Sequence, residues 1–345
     1  MSQKSERQTW TQQDAQAHRA MLERRAARLK PIVLPLTYLT MLPARNIARW
    51  LGKEHPFYRT LLGALYADMD AAFINAFNDY ELQRNDVVVC AYFKSGTNWM
   101  MQTAYQIAHH GDGDYDYIYD VIPWPDGPDR KIPISLHDPA PYQSSSGQRI
   151  IKSHSIVDHV PLRPEAKYIV MTRDPKDVVV SGYYFFEALL FGPLVPSIEA
   201  WVDIFISDQA IQGSWHEFVA GWWPLRNEPN VLFMTYEEMR KDTDESIRTV
   251  ADFMDVDLTP EMFTNIQERT SFAYMKSIDH KLYPPRLSPL GYPDGVLVRK
   301  GQSGSSGELL SVELQQHIDD YCRAQLEVLG CDFPYDALYG NQSPT

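Results

Sequence analysis

Cysteine is scarce in this chain of 345 residues, which contains only Cys90, Cys322 and Cys331. A disulfide framework needs more cysteines, and a structural zinc site needs Cys or His ligands in closely spaced pairs. The sequence shows neither pattern, so it predicts neither a disulfide scaffold nor a metal centre. Cys90 lies in an apolar run and is expected to be a small core residue. A reducing compartment, and therefore a cytoplasmic location, is the simplest inference.

Long hydrophobic runs are also missing. The most apolar stretch, residues 31–43, contains Pro35 and is well short of the about 20 residues that a transmembrane helix needs. As a secretory signal it is poor, because the basic region before it is too long and no small-x-small cleavage site follows. The sequence therefore predicts no transmembrane span and no secretory signal.

Positive charge is low overall and unevenly distributed. The formal net charge is −13, which argues against nucleic acid as a partner, although a locally positive cleft can still bind a small anion. Residues 1–60 hold eleven Lys or Arg and four Asp or Glu, a net charge of +7, so the remainder carries −20. We expect residues 1–75 to form a basic helical arm that packs on the core, with peripheral contact to an anionic membrane as the alternative.

The usual phosphate-binding P-loop is absent, because Gly52-Lys53 is the only Gly-Lys pair and Glu54 follows it. A different stretch has similar properties. Residues 86–93 form a β-branched run typical of a buried strand, and residues 99–108 have apolar positions at helical spacing. The turn Lys94-Ser95-Gly96-Thr97-Asn98 between them would place backbone N–H groups, hydroxyls and a lysine around one point. It is either an anion cradle or an ordinary strand-to-helix loop.

Further strands are predicted at residues 149–154, 167–173 and 230–236, each followed by a turn or a helix start, and a final helix at roughly 308–329. This alternation predicts an α/β fold of three layers, with a central, mostly parallel sheet and helices on both faces. Because ligands bind at the carboxyl ends of parallel strands, that edge is the expected site. Four predicted strands end there with the polar side chains of Lys94, His154, Arg173 and Tyr236.

Six pieces of the chain, in order, resemble the cytosolic sulfotransferases over roughly residues 80–335. They are Lys94-Ser95-Gly96-Thr97-Asn98-Trp99, Lys152-Ser153-His154, Arg173-Asp174-Pro175-Lys176-Asp177-Val178 with Ser181, Tyr236-Glu237-Glu238-Met239, Thr270-Ser271-Phe272 and Arg299-Lys300-Gly301. The resemblance implies the P-loop-like sulfotransferase fold, a sulfotransferase domain at residues 76–340, and 3′-phosphoadenosine 5′-phosphosulfate (PAPS) as co-substrate, without a metal.

The resemblance also implies a role for each piece. The loop at residues 94–99 would bind the 5′-phosphosulfate of PAPS, and Trp99 and Phe272 would stack on its adenine. The 3′-phosphate would be held by a set of basic and small residues: Arg173, Ser181, Arg299, Lys300 and Gly301. Tyr236 and Thr270 would add polar contacts.

For catalysis, the resemblance assigns His154 as the general base that takes the proton of an acceptor hydroxyl. Imidazole suits this task because its ordinary pKa lies near neutrality. Lys94 and Lys152 would stabilise the charge that develops on the leaving phosphate. The aromatic-rich segments at residues 111–148 and 183–201 favour a small, apolar alcohol or phenol as acceptor.

Several positions depart from the family pattern. Phe93 stands where the family has proline, and residues 301–306 lack the family's Asp-Trp, which leaves closure of this loop an open question. Residues 309–313 resemble the family's dimer motif only loosely, so the sequence leaves open whether the protein is a homodimer.

Two other functions stay open at this point: a phosphoryl-transfer nucleotide enzyme with an atypical P-loop, and a non-catalytic protein that binds 3′-phosphoadenosine 5′-phosphate (PAP). A further variant would use transient sulfation to drive elimination.

Overall fold

The computed structural model describes residues 10–139, 143–207, 210, 213–292, 297–299 and 301–340. Its strands are β1 (Asp86–Ala91), β2 (Arg149–Ser153), β3 (Lys167–Thr172) and β4 (Val231–Thr235). Before the sheet come α1 (Gln12–Leu36), a π-helical turn (Thr37–Met41), α2 (Leu42–Trp50) and α3 (Glu54–Ile74). The helices after β1 are α4 (Thr97–Ala108), α5 (Pro175–Phe186), α6 (Ile198–Phe205), α7 (Trp215–Trp222), α8 (Tyr236–Lys241), α9 (Thr243–Phe253), α10 (Pro260–Thr270), α11 (Phe272–Ser277), α12 (Asp279–Leu282), α13 (Val312–Val328) and α14 (Tyr335–Tyr339).

The four strands form one parallel sheet in the order β2-β1-β3-β4. Side chains alternate between its two faces, and each face has its own hydrophobic core. Val88 and Val170 face a core that includes residues of α5, α6, α7 and α13. Val89 and Ile169 face the opposite core, with residues of α4, α9 and α10. Helices therefore cover both faces, and the predicted three-layer α/β fold is confirmed.

Parallel pairing brings the carboxyl ends of the strands to one edge. In the register, Cys90 lies beside Ser153 of β2 and Val170 of β3, and Thr172 lies beside Thr235 of β4. The residues that follow these positions therefore converge. The loop after β1, the loop after β2 and the starts of α5 and α8 share one rim of the sheet, where the sequence predicts the site.

The first arm helix contains two prolines. α1 runs through both Pro31 and Pro35. Each proline removes one backbone donor, which normally breaks a helix. Ala27 and Pro31, whose carbonyls lose those donors, are exposed, so water can reach them. The π-helical turn at Thr37–Met41 follows at once, as is common where a helix is locally perturbed.

Polar contacts attach the arm at both ends. In α1, Arg19 forms a buried ion pair with Asp120 and donates to the carbonyl of Ile132 at 2.7 Å. Farther along, Arg45 Nη1 donates to Val195 O at 2.8 Å and Tyr58 OH donates to Leu194 O at 2.6 Å. α3 ends at Ile74. The division of the chain at residue 75 stays a prediction.

The last long helix begins later than the sequence predicts. Residues 306–308 form a short 3-10 helix, and α13 begins at Val312. The cause is local, because the Ser311 side chain accepts a hydrogen bond from Leu314 N and caps the helix there.

Candidate active site

The loop after β1 is shaped around a point where backbone and hydroxyl donors meet. Lys94 and Gly96 both have left-handed backbone angles, with φ of 61° and 88°. A Cβ at Gly96 would lie 2.7 Å from Tyr236 Cδ2, so glycine is needed for both conformation and space. Helix α4 begins directly afterwards at Thr97, so its free N–H groups and the positive end of its dipole lie at this loop.

Two hydroxyls of this loop are left without partners. Ser95 Oγ and Thr97 Oγ1 are buried, and neither has a hydrogen-bond partner in the part of the chain that the structure describes. Burying an unpaired hydroxyl is unfavourable, so such groups usually await a ligand or a water molecule. A phosphate or sulfate oxygen would satisfy both hydroxyls. The residues present therefore fit an anionic group at this loop.

One pocket joins most of the predicted site residues. Its lining includes Lys94, Gly96, Thr97, Asn98, Trp99, Lys152, His154, Arg173, Ser181, Tyr236, Thr270, Phe272, Arg299 and Gly301. Ser95 does not line this pocket and is completely buried. Lys300 lies outside the described residues. The structure thus brings together residues that are up to 207 positions apart in the sequence.

The two lysines lie in aromatic surroundings. Lys94 Nζ is 4.4 Å from the centroid of the Phe185 ring. Lys152 Nζ is 3.4 Å from the centroid of a Trp124 ring and donates to Tyr119 OH at 2.8 Å. Burial lowers the pKa of each lysine to about 7, and nearby positive charges add to the effect: Arg173 for Lys94, and Lys94 for Lys152. Both side chains can therefore change charge near neutral pH.

His154 is held in one orientation by its ring nitrogen. Nδ1 lies 2.6 Å from the carbonyl oxygen of Ala91. A carbonyl oxygen can only accept, so Nδ1 carries the proton and donates it in this bond. Burial, together with the charge of Lys152, lowers the pKa of His154 well below 6.5. The neutral ring therefore presents a lone pair on Nε2, and the side chain lines the pocket.

Asp126 organises the strand end that carries His154, and the sequence analysis missed it. Its Oδ2 accepts four hydrogen bonds, from Ser153 Oγ at 2.7 Å, His154 N at 2.7 Å, Ser155 N at 2.9 Å and Ser155 Oγ at 2.8 Å. Asp126 is buried and belongs to the irregular segment at residues 111–148. Trp124, which packs edge-on against His154 at 5.6 Å, comes from the same segment. The only sequence signal was that long irregular segments often carry function.

Two arginines also line the pocket. Arg173 Nη2 donates to Asp177 Oδ2 at 2.9 Å and to Gln302 O at 2.8 Å, and its guanidinium lies 4.4 Å from the centroid of the Tyr236 ring. Its Nε is buried and finds no partner among the residues described. Arg299 contacts both carboxylate oxygens of Glu308, at 2.8 and 3.0 Å. These arginines form a second place where an anionic group can bind.

Asp177 holds the C-terminal loop near Arg173. Its carboxylate accepts hydrogen bonds from Gly304 N at 2.8 Å and Ser305 N at 3.0 Å. The same carboxylate binds Arg173, so one residue links α5, the arginine and the loop. The loop at residues 301–306, which lacks the Asp-Trp pair, is therefore attached to α5 through its backbone.

Aromatic side chains lie near both anion-binding regions. Trp99 Nε1 donates to Thr270 O at 2.8 Å, and its ring lies edge-on to Tyr236 at 5.8 Å. The Thr270 hydroxyl donates to Ile266 O at 2.7 Å, within its own helix. A Cβ at Gly301 would lie 2.4 Å from the Phe272 ring, so these two residues are in close contact. Trp99 and Phe272 thus both line the pocket, Trp99 beside Tyr236 and Phe272 beside Gly301.

Comparison with known protein families identifies the family to which this chain belongs. Residues 84–330 match the family model described as "Sulfotransferase domain". The chain belongs to the sulfotransferase family. Its resemblance to the cytosolic sulfotransferases is therefore confirmed, and so is its assignment as an enzyme.

Individual relatives of this sulfotransferase agree. Sulfotransferase 2A1 of Homo sapiens is 29% identical over 265 residues, which are 75% of this chain and 90% of that protein. Sulfotransferase 2B1 of Mus musculus is 30% identical over 279 residues, or 77% of this chain and 78% of that protein. Among solved structures, retinol dehydratase in complex with androsterone and PAP has a TM-score of 0.62 and 20% identity, covering 79% of this chain and 88% of that one. The structural likeness supports the fold.

Among the described residues, no group of three or more His, Cys, Asp or Glu side chains is arranged to hold a metal ion. The same range of residues contains no helix that is long and apolar enough to span a bilayer.

Proposed function

We propose that this sulfotransferase uses PAPS to sulfate the hydroxyl group of a small, apolar alcohol or phenol. The observation that carries the proposal is the set of groups at one pocket. Lys94, Thr97, Lys152 and the neutral imidazole of His154 line it. The hydroxyl of Thr97 and that of the buried Ser95 in the same loop find no hydrogen-bond partner among the residues described. Sulfuryl transfer needs these functions: anion binding, stabilisation of negative charge, and removal of a proton.

The donor would bind along the basic and aromatic side of the pocket. Ser95, Gly96, Thr97 and Asn98 would hold the 5′-phosphosulfate, with Lys94 adding positive charge. The second region would hold the 3′-phosphate through Arg173, Ser181, Arg299, Lys300 and Gly301; Lys300 is proposed from the sequence alone. Arg173 supports this role because its Nε finds no hydrogen-bond partner in the described part of the chain, and a guanidinium can bind phosphate bidentately. Trp99 and Phe272 would stack on the adenine, with Tyr236 and Thr270 beside it.

Catalysis would then depend on His154 and the two lysines. When bound, PAPS supplies an electrophilic sulfur and a phosphate leaving group. His154 Nε2 would accept the proton of the attacking hydroxyl, while the Nδ1 proton stays on the carbonyl of Ala91. The ammonium groups of Lys94 and Lys152 would stabilise the charge that develops on the leaving group. No metal ion is needed in this scheme.

The acceptor side of the pocket favours an apolar molecule. Its lining includes the aromatic and aliphatic side chains of Phe93, Phe185, Phe186, Met275, Leu282, Pro284 and Leu297. Phe93, which replaces the family's proline, packs against Phe186 at 5.9 Å and thereby narrows this side. The solved structures of retinol dehydratase contain androsterone or retinol, which are apolar alcohols. That likeness supports an alcohol acceptor here without identifying it.

The donor assignment is tested by calorimetric titration with PAP, with and without magnesium, followed by a screen of hydroxyl acceptors with labelled PAPS. We expect PAP to bind without magnesium and the label to reach an apolar alcohol or phenol. ATP binding that requires magnesium would favour the phosphoryl-transfer alternative. PAP binding without transfer to any acceptor would favour the non-catalytic alternative, and a dehydrated product would indicate that sulfation drives elimination. A cytoplasmic location and a homodimer stay predictions.

The affinity for PAP is expected to fall as the pH rises from 7 to 9. Lys94 and Lys152 have pKa values of about 7 in the free protein, so both lose their protons over this range. An anion binds the protonated forms, and each lysine can therefore weaken binding by up to about tenfold per pH unit. Calorimetric titration with PAP at pH 8, repeated in two buffers of different ionisation enthalpy, should also show that the protein takes up protons when PAP binds.

The matched control for this prediction is Lys94→Arg. Arginine keeps its charge throughout this range, so the variant should take up fewer protons at pH 8 and show a shallower pH dependence. An affinity that stays constant from pH 7 to 9, with no proton uptake, contradicts the role of the two lysines.

A further inference from the structure

The basic arm has a section with no negative charge. Residues 24–53 contain seven Lys or Arg (Arg24, Arg25, Arg28, Lys30, Arg45, Arg49 and Lys53) and no Asp or Glu, in a chain whose net charge is −13. Four of these cations precede an uncharged stretch at residues 31–44, and three follow it. The arrangement is therefore an apolar centre with a basic cluster on each side.

The apolar side chains of this section point away from the core. They include Ile32 (67%), Leu36 (55%), Leu39 (76%), Ile47 (59%) and Trp50 (84%). Burying large apolar side chains is favourable, so a soluble protein seldom leaves such a series uncovered without a partner for it. We call these five side chains the outer face of the arm. They are spaced by four, three, eight and three residues along α1, the π-helical turn and α2, the spacings of one helical face.

The cations around the outer face are accessible to solvent. Arg24, Arg25, Arg28 and Lys53 are all exposed, and Arg49 is 58% exposed although its Nε lies 3.7 Å from Glu54. Arg45 is different, because it is partly buried and donates to the carbonyl of Val195. Most of the positive charge is thus free to meet an extended negative surface. A protein partner would need a matching acidic patch, whereas a bilayer with anionic lipids supplies negative charge and an apolar interior together.

We propose that the outer face of the arm docks on the surface of an anionic membrane. Ile32, Leu36, Leu39, Ile47 and Trp50 would enter the boundary between headgroups and acyl chains, and the flanking cations would contact the lipid headgroups. Trp50, the most exposed member, suits this boundary because indole is amphipathic. The described helices do not span a bilayer, so the arm would lie in the plane of the surface.

Docking would bring the acceptor side of the enzyme close to the lipid. The arm contacts residues 194–197 through Arg45, Tyr58 and Glu54. That segment follows α5 and the π-helical turn after it, and α5 ends with Phe185 and Phe186, which line the pocket. An apolar alcohol concentrates in the bilayer, so attachment at this side would shorten its path to the pocket. This last step rests on the proposed function, whereas the docking itself does not.

The test is sedimentation of the full-length protein with phosphatidylcholine vesicles that contain either no or 30% phosphatidylserine. We expect at least tenfold tighter binding to the anionic vesicles, loss of most of that difference in 0.5 M salt, and a blue shift of Trp50 fluorescence. The variant L39S/W50S should lose at least tenfold in vesicle affinity, and R24Q/R25Q/R28Q should lose the preference for phosphatidylserine. Sulfation of a water-soluble acceptor should stay within twofold in all of them.

Matched controls separate this surface from general exposure of apolar residues. Val312 and Val328 are 71% and 77% exposed but lie on α13, so V312S/V328S should bind vesicles as the unchanged protein does. Equal binding to neutral and anionic vesicles, or full binding by L39S/W50S, overturns the proposal. Light scattering measures the oligomeric state of the same variants and tests whether a second copy of the chain covers the outer face of the arm. If L39S/W50S converts a dimer to a monomer and vesicle binding is absent throughout, the outer face is covered by a second copy of the chain instead.

Discussion

Replacing His154 with alanine should reduce turnover by about 10²–10⁴-fold, the usual contribution of a positioned general base. The neutral ring offers Nε2 to the pocket while Nδ1 is occupied by the carbonyl of Ala91. Removing the ring removes the lone pair on Nε2 that would take the acceptor's proton. PAP affinity should change little, because the proposed anion-binding groups are on other residues. Single-turnover rates with labelled PAPS and calorimetric titration with PAP measure the two quantities separately.

A second substitution separates a base from a merely structural ring. His154→Asn keeps an N–H that can reach the carbonyl of Ala91 but has no basic nitrogen at the position of Nε2. We expect it to be as slow as His154→Ala. His216 provides the matched control, since it is buried, its pKa is also lowered by burial, and it does not line the pocket. His216→Asn should stay within about twofold in turnover, on the expectation that only a positioned base contributes to the chemical step. Recovery of activity in His154→Asn contradicts the assignment.

Much of the fold could be predicted because each of the four strands is short and contains adjacent apolar residues, such as Val87-Val88-Val89 and Ile150-Ile151. A parallel sheet buried on both faces requires such strands, and the alternation with helices then determines the layers. Once the sheet is parallel, the residues after each strand must meet at one edge. This is why Lys94, His154, Arg173 and Tyr236 could be assigned to one pocket from the sequence, although long segments of the chain separate them.

Asp126, Tyr119 and Trp124 could not be predicted in the same way. They lie in the irregular segment at residues 111–148, where no periodicity indicates which side chains point inwards. Their partners Lys152 and His154 are about 30 residues away in sequence. Only the packing of this segment against β2 brings them together. The roles of Asp177 in holding the C-terminal loop and of Pro31 and Pro35 inside a helix likewise depend on tertiary context.

Lys152→Met should lower turnover by about 10²–10³-fold, the range found when one group that stabilises a developing charge is removed. It should also move the acid limb of the pH–rate profile to higher pH. His154 titrates below pH 6.5, where Lys152, with a pKa of about 7, is mostly protonated. That positive charge helps to keep the pKa of His154 low. Without the charge of Lys152, the imidazole of His154 stays protonated to higher pH. The neutral imidazole that acts as the base therefore forms only at a higher pH.

The direction of this shift in the acid limb shows whether Lys152 acts on His154 through its charge or only fills space. Lys152→Arg retains the charge, so its acid limb should lie close to that of the unchanged enzyme even if the bulkier guanidinium slows turnover. Tyr119→Phe removes the partner of Nζ but leaves the charge, and it should leave the limb in place as well. The profiles are measured as kcat/KM for the acceptor at saturating PAPS between pH 4.5 and 8. Two results would contradict the proposal that His154 titrates beside a charged Lys152. One is an acid limb that moves to lower pH in Lys152→Met, and the other is a limb that moves equally far in Lys152→Met and Lys152→Arg.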